Sequence, residues 1–267
     1  REFTERIPRL SGLAPSHHGL RDGAVLMAVE PVLALGRVVK QFGGRTALSG
    51  LDLTLRAGEV YAMLGPNGAG KTTTINLILG FLKADAGEVR VCRIDAGTDP
   101  IAARARTAYI PEQVALYPGQ SGLENLRYFA TLAGLAIDRA EAETHLAAAG
   151  LAPEAWSRPA SGYSKGMRQK VGIAIALARK TRLLLLDEPT SGLDPSAAAA
   201  FSGTVRAAAE RGTAVLMATH DLYRVREMAD RVGVLAGGRI AEEIDPRRYA
   251  HTDLERLYIA RLSGAVT

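Results

Sequence analysis

Hydrophobic positions become periodic from Val32 onward. VLALGRVVKQF is β-like, and ALSGLDLTLRAG (residues 47–58) alternates apolar and polar residues as a half-buried strand does. EVYAMLG is a short apolar strand ending in glycine. Residues 69–83 predict a helix with Ile75, Leu79 and Leu82 apolar. Residues 114–180 are rich in Ala, Leu and Glu without strong strand signals, so they read as mainly helical. LLLLD and TAVLMATH are buried strands, separated by a helix over AAAAFSGTVRAAAERG. DLYRVREMADRV predicts a helix, and VGVLAGGRIAEE a hairpin turning at Gly237-Gly238. TDLERLYIARL closes the pattern as a short amphipathic helix, with Leu254, Leu257, Tyr258 and Leu262 on one stripe. Strands alternating with helices imply an α/β fold whose largely parallel sheet is covered on both faces.

Residues 1–26 mix Arg, Glu, Pro, Gly and the pair His17-His18 without period. They read as a flexible tail, an upstream extension or an expression scar, and two His without further ligands are ordinarily solvent-facing. The 267 residues are 47% hydrophobic and 23% charged, enough to bury a sizeable core. The net charge of +5 comes with scattered Arg and few aromatics, which gives nucleic-acid binding little support. Cys92 is the single cysteine, so no disulfide framework forms within the chain and a reducing compartment fits. No apolar run reaches the 18 or more residues that cross a bilayer. A membrane process would need its membrane part from another chain.

Chemistry enters at GPNGAGKTT, residues 65–73, which fits G-x-x-x-x-G-K-[ST] between an apolar strand and a helix. Gly65, Pro66, Asn67, Gly68, Ala69 and Gly70 wrap the backbone so that N–H groups face phosphate oxygens. Lys71 can reach the β- and γ-phosphates, the Thr72 hydroxyl can ligate Mg²⁺, and Thr73 completes the motif. A second element, LLLLDEPTSGLDP, ends a hydrophobic strand in two carboxylates. Asp187 can hold Mg²⁺ through water, and Glu188 can polarise a water in line with the γ-phosphate. His220 ends the next strand, where ligands of open α/β sheets bind.

In order, GPNGAGKTT, YIPEQ, YSKGMRQK, LLLLDEPTSGLD and the His of ATH resemble the nucleotide-binding subunit of an ATP-binding-cassette (ABC) transporter. The likeness spans about residues 32–244. It implies a P-loop NTPase cassette with a mainly parallel central sheet, an antiparallel β-subdomain and a helical insert at about 114–180. Residues 1–31 are then an N-terminal extension and 245–267 a short C-terminal helix. ATP and Mg²⁺ are the implied cofactors. Glu188 and His220 are the implied catalytic residues.

The family's signature, commonly L-S-G-G-Q, reads Tyr163-Ser164-Lys165-Gly166-Met167 here. Ser164 and Gly166 keep the positions that meet the γ-phosphate on a partner subunit, while Lys165 and Met167 depart from the commonest form. That variant is similar to ABC-2-type exporters. Phe42 in KQFGG takes the position whose ring stacks on adenine; ordinary core is the competing reading. Ser191 and Asp194 would lie along a dimer seam. Glu112 falls at the family's glutamine position, beside Gln113; either could supply an oxygen to Mg²⁺. A carboxylate there would add negative charge beside the γ-phosphate. In the family, LYPGQSGLENLRYF forms a groove for a coupling helix of the membrane subunit. Leu116, Tyr117, Leu123 and Leu126 are candidates for that contact, with insert core as the alternative.

The resemblance implies a cassette on the cytoplasmic face of the cell membrane. Its partners would be a transmembrane permease subunit and a second copy of itself or a homologous ATPase subunit, with no direct nucleic acid. Export is the expected direction. Copper-site maturation for nitrous oxide reductase is an alternative, as is a soluble ABC ATPase. The latter usually carries long coiled coils or two cassettes, absent here. A P-loop kinase needs neither the 161–170 motif nor the paired Asp-Glu.

Overall fold

The computed structural model describes residues 30–263. Residues 1–29 of the expected extension, with His17 and His18, lie outside the described residues, as does the side chain of Leu262. The strands are β1 (Leu33–Phe42), β2 (Arg45–Leu55), β3 (Val60–Leu64), β4 (Ala86–Val91), β5 (Ile94–Asp95), β6 (Thr107–Ile110), β7 (Leu183–Asp187), β8 (Ala214–Thr219), β9 (Arg231–Ala236) and β10 (Arg239–Ile244). The helices are α1 (Lys71–Ile78), α2 (Pro100–Ala105), α3 (Gly122–Leu132), α4 (Arg139–Ala148), α5 (Lys165–Ala178), α6 (Pro195–Glu210), α7 (Leu222–Met228) and α8 (His251–Ser263).

The central sheet has the order β10-β9-β3-β8-β7-β6. Five strands, β9, β3, β8, β7 and β6, pair in parallel, and β10 closes one edge antiparallel to β9. Successive side chains of a strand face opposite ways, and here the two sets enter different cores. Val60, Ala62, Leu64, Leu184, Leu186, Val215 and Met217 pack towards α3, α4, α5 and α6. Tyr61, Met63, Leu183, Leu185, Leu216 and Ala218 pack towards α1 and a second, antiparallel sheet of order β2-β1-β4-β5. Being apolar on both sides, these strands show no alternation. β2 does alternate: Leu51, Leu53 and Leu55 are buried, Asp52 and Thr54 exposed. The architecture is α/β, with a mainly parallel sheet, an antiparallel sheet and a helical segment. Among the described residues, no helix is long and apolar enough to cross a membrane.

The structure corrects three readings. The helix expected over 69–83 covers only Lys71–Ile78. Gly80 adopts φ +65°, and a Cβ there would lie 2.5 Å from the Pro100 Cβ and 2.8 Å from the Ala96 carbonyl, so the chain turns away. The helix expected over 221–232 ends at Met228. Asp230 stops it: its carboxylate accepts from the Val60 N–H at 2.9 Å and from Arg206 at 3.0 and 3.1 Å, feeding the chain into β9. Residues 86–110, left without elements by the sequence pattern, supply β4, β5, α2 and β6.

Between 114 and 180 lie α3, α4 and α5. Ser121 and Asp138 each form a capping box, with Glu124 and Glu141 respectively, which fixes where α3 and α4 start. Leu123 and Leu126 are buried in this core and are not free for a coupling contact. Tyr117 is exposed beside Tyr128, and Leu116 is partly buried.

Candidate functional site

A cleft of about 490 Å³ opens at the carboxyl ends of β3 and β7. Pro66, Asn67, Gly68, Gly70, Lys71, Thr72 and Thr73 line one wall; Glu112, Asp187 and Glu188 line another; Phe42, Arg45 and Ala47 form the rim. Helix α1 starts here from Gly70 without a side-chain cap, so its N-terminal dipole faces the cleft. Gly70 has φ +114°, and a Cβ would lie 2.7 Å from the Leu48 side chain and 2.9 Å from the Ala47 carbonyl. Only glycine fits this close approach.

Lys71 is nearly buried. Its ammonium donates to the Gly65 carbonyl at 2.6 Å and to that of Pro66 at 3.3 Å, and it lies 3.3 Å from Glu188 Oε1. The same oxygen lies 2.9 Å from His220 Nδ1. Neither contact has the alignment of a hydrogen bond. The other oxygen, Oε2, accepts from the Thr219 hydroxyl at 3.1 Å and the His220 N–H at 3.4 Å. Burial pushes the Glu188 carboxyl up, but His220 and Lys71 outweigh it and hold the group below the usual range. Glu188 also has φ +45°, a strained conformation for a non-glycine residue.

Asp187 behaves oppositely. Burial and the charge of Glu188 raise its carboxyl above the ordinary value. Tyr109 donates to Asp187 Oδ2 at 3.4 Å, and burial together with Asp187 pushes the phenol up to about 12. Tyr109 is a site residue the sequence reading passed over. Its signal was its place one residue before the end of β6, next to β7.

Phe42 is 47% exposed, with the Lys40 ammonium 5.3 Å from its ring centre. It is rim rather than core, with about half of the residue exposed. Of the glutamine-loop pair, Glu112 lines this cleft, while Gln113 lines separate hollows with Val114 and Ala115. Thr72, Asp187 and Glu112 offer oxygen donors only, the set Mg²⁺ takes. No group of three or more His, Cys, Asp or Glu among the described residues could cage a metal.

Ser164, Lys165, Gly166 and Met167 do not line the cleft. Ser164 is exposed and caps α5, its hydroxyl accepting from the Met167 N–H at 3.3 Å. Tyr163, by contrast, is buried: its hydroxyl donates to the Ala155 carbonyl at 2.6 Å and accepts from the Gly122 N–H at 3.0 Å. Asp194 is exposed and caps α6 through the Ala197 N–H at 2.9 Å; Ser191 is half-buried.

Comparison with known proteins identifies the pattern. The ABC transporter family profile matches residues 48–191. An uncharacterized ABC transporter ATP-binding protein of Bacillus subtilis, YdbJ, is 37% identical over 216 residues, covering 80% of this chain and 70% of that protein. The daunorubicin/doxorubicin resistance ATP-binding protein DrrA of Streptomyces peucetius is 38% identical over 221 residues, 81% of this chain and 67% of that one. A solved dimer of the cassette MJ0796, in a post-hydrolysis state bound to ADP and Pi, superposes with a TM-score of 0.70 at 27% identity, over 81% of this chain and all of that chain.

Proposed function

This chain belongs to the ABC transporter family as an ATP-binding, ATP-hydrolysing cassette, and we propose that it drives export through a separate transmembrane subunit by pairing around two ATP molecules. In this reading each ATP lies in one copy's cleft and meets Ser164 and Gly166 of the other copy. The observation that carries it is the split arrangement. Lys71, Asp187 and Glu188 converge on one cleft with His220 against Glu188, while the exposed Ser164 at the start of α5 lies outside that lining. The dimeric MJ0796 cassette supports the pairing, and drug resistance, which the name of DrrA records, is the outcome that export of a drug would give. The complex would act at the cytoplasmic face of the membrane.

The residues divide the work. Phe42 stacks on adenine, and residues 65–73 wrap the phosphates with backbone N–H groups. Thr72, Asp187 and Glu112 would hold Mg²⁺, which when bound would neutralise charge on the phosphate oxygens. Lys71 leaves the Gly65 and Pro66 carbonyls and Glu188 for the β- and γ-phosphates. Glu188 then loses a neighbouring cation and gains a neighbouring anion, and both changes raise its proton affinity. Its carboxylate takes the proton of the water that attacks the γ-phosphorus, leaving ADP and phosphate. His220 holds the carboxylate in place. Ser191 and Asp194 lie along the seam between copies.

Lys71→Ala tests the cleft. It should weaken ATP binding and abolish hydrolysis; ATP turnover at the wild-type rate in this variant would refute the assignment.

A further inference from the structure

The acidic residue at position 112 poses a charge problem. Three carboxylates, Glu112, Asp187 and Glu188, line a cleft assigned to a polyanion, against Lys71 and Arg45. Lys71 answers Glu188, and His220 Nδ1 lies beside the same oxygen. The residue that answers Glu112 comes from outside the cleft. The Lys165 ammonium lies 3.6 Å from Glu112 Oε1 and donates to the Ser191 carbonyl at 2.6 Å. The Ser191 hydroxyl closes the triangle, donating to the same Glu112 oxygen at 3.1 Å.

We infer that Lys165 is a positioning residue: it supplies the counter-charge for Glu112 and joins the cleft wall to the helix start that faces the partner copy. Three segments meet at this triangle. Glu112 follows β6, Ser191 follows β7, and Lys165 is the first residue of α5, directly after the exposed Ser164. One turn along α5, the buried Gln169 donates to the Pro189 carbonyl, so the same helix grips the loop after β7 twice. A nucleotide entering the cleft alters the field at Glu112, and the change reaches the base of Ser164 through one lysine. The departure of position 165 from a glycine and the carboxylate at 112 are thereby one feature: each charge makes the other tolerable. A glycine at 165 would leave Glu112 facing the phosphates without its counter-ion. The inference rests on the cleft being the ATP site.

The test is a double-mutant cycle on the full chain. Equilibrium binding of a fluorescent ATP analogue is measured for wild type, Lys165→Met, Glu112→Gln and the double variant, in EDTA and in Mg²⁺. Thermal unfolding checks that each is folded. Lys165→Met should weaken binding in EDTA about two- to fivefold, the range of a partly exposed ion pair. In the Glu112→Gln background the same substitution should have little effect, and the difference should shrink at 1 M salt. Glu112→Gln alone should tighten binding in EDTA, which keeps the inference testable even where Lys165→Met does not fold. Equal losses in the two backgrounds would mean that Lys165 serves only the Ser191 carbonyl, and would overturn the inference while leaving the ATP site standing. Wild-type binding that Lys71→Ala leaves unchanged would overturn the cleft reading and this inference with it.

Discussion

Replacing Tyr163 with phenylalanine removes one oxygen from the first residue of the YSKGM segment. That oxygen makes two buried hydrogen bonds, to the Ala155 carbonyl at 2.6 Å and from the Gly122 N–H at 3.0 Å. The side chain is 4% exposed, so water has little access to either orphaned group. An unsatisfied buried polar group costs about 1–3 kcal/mol. The Gly122 N–H lies in the first turn of α3, and no Cβ fits at that position, because it would fall 2.4 Å from the Tyr163 oxygen. The loop after α4 and the start of α3 therefore share one anchor. Tyr163→Phe should cost roughly 2–3 kcal/mol, which lowers Tm by about 4–12 °C in a domain of this size. Thermal unfolding of the nucleotide-free protein measures it. ATP binding in the cleft should change little, because Tyr163 does not line it. A stability change below about 0.5 kcal/mol would refute the reasoning.

Two further substitutions probe the cleft itself. Phe42→Ala should weaken ATP binding by about 1–3 kcal/mol, the worth of a base stacked on an aromatic ring, and leave inorganic triphosphate binding unchanged; equal effects on both ligands would place Phe42 off the base. Asp187 is held above its ordinary value of 3.8 by burial and by Glu188. The folded state therefore binds this proton more tightly than the unfolded state does, and stability falls as pH rises from about 4 through the raised value. Asp187→Asn should raise the nucleotide-free Tm at pH 7 and flatten its dependence on pH in that window, while abolishing turnover; a lower Tm at pH 7 would show that the carboxylate is not under strain there.

The parallel strands and the phosphate loop were legible because their signals are local. LLLLD and VYAML are apolar on both faces of the sheet, and GPNGAGKTT carries its conformation in its glycines. The ends of α1 and α7 were not legible. Gly80 turns the chain because Pro100 and Ala96 stand behind it, and Asp230 ends α7 because Arg206 and Val60 meet its carboxylate. Both causes lie far along the chain. Strands β4 and β5 escaped notice for a related reason: β4 is largely exposed, with only Val89 and Val91 buried, so its register depends on β1. Within the site, spacing could not choose between Glu112 and Gln113, because adjacent residues diverge only once the loop is folded. Nor could it show that Leu123 and Leu126 face inward, or that Tyr109 reaches Asp187.

The central claim is that half of each ATP site comes from a second copy. Glu188→Gln tests it most directly, because the amide cannot take the proton from water while the cleft keeps its shape. Light scattering coupled to size exclusion, with and without Mg·ATP, gives the mass. The account predicts a monomer without nucleotide and a stable dimer with Mg·ATP, abolished by adding Ser164→Arg. A monomer under both conditions, or ATP hydrolysis at the wild-type rate, would contradict it.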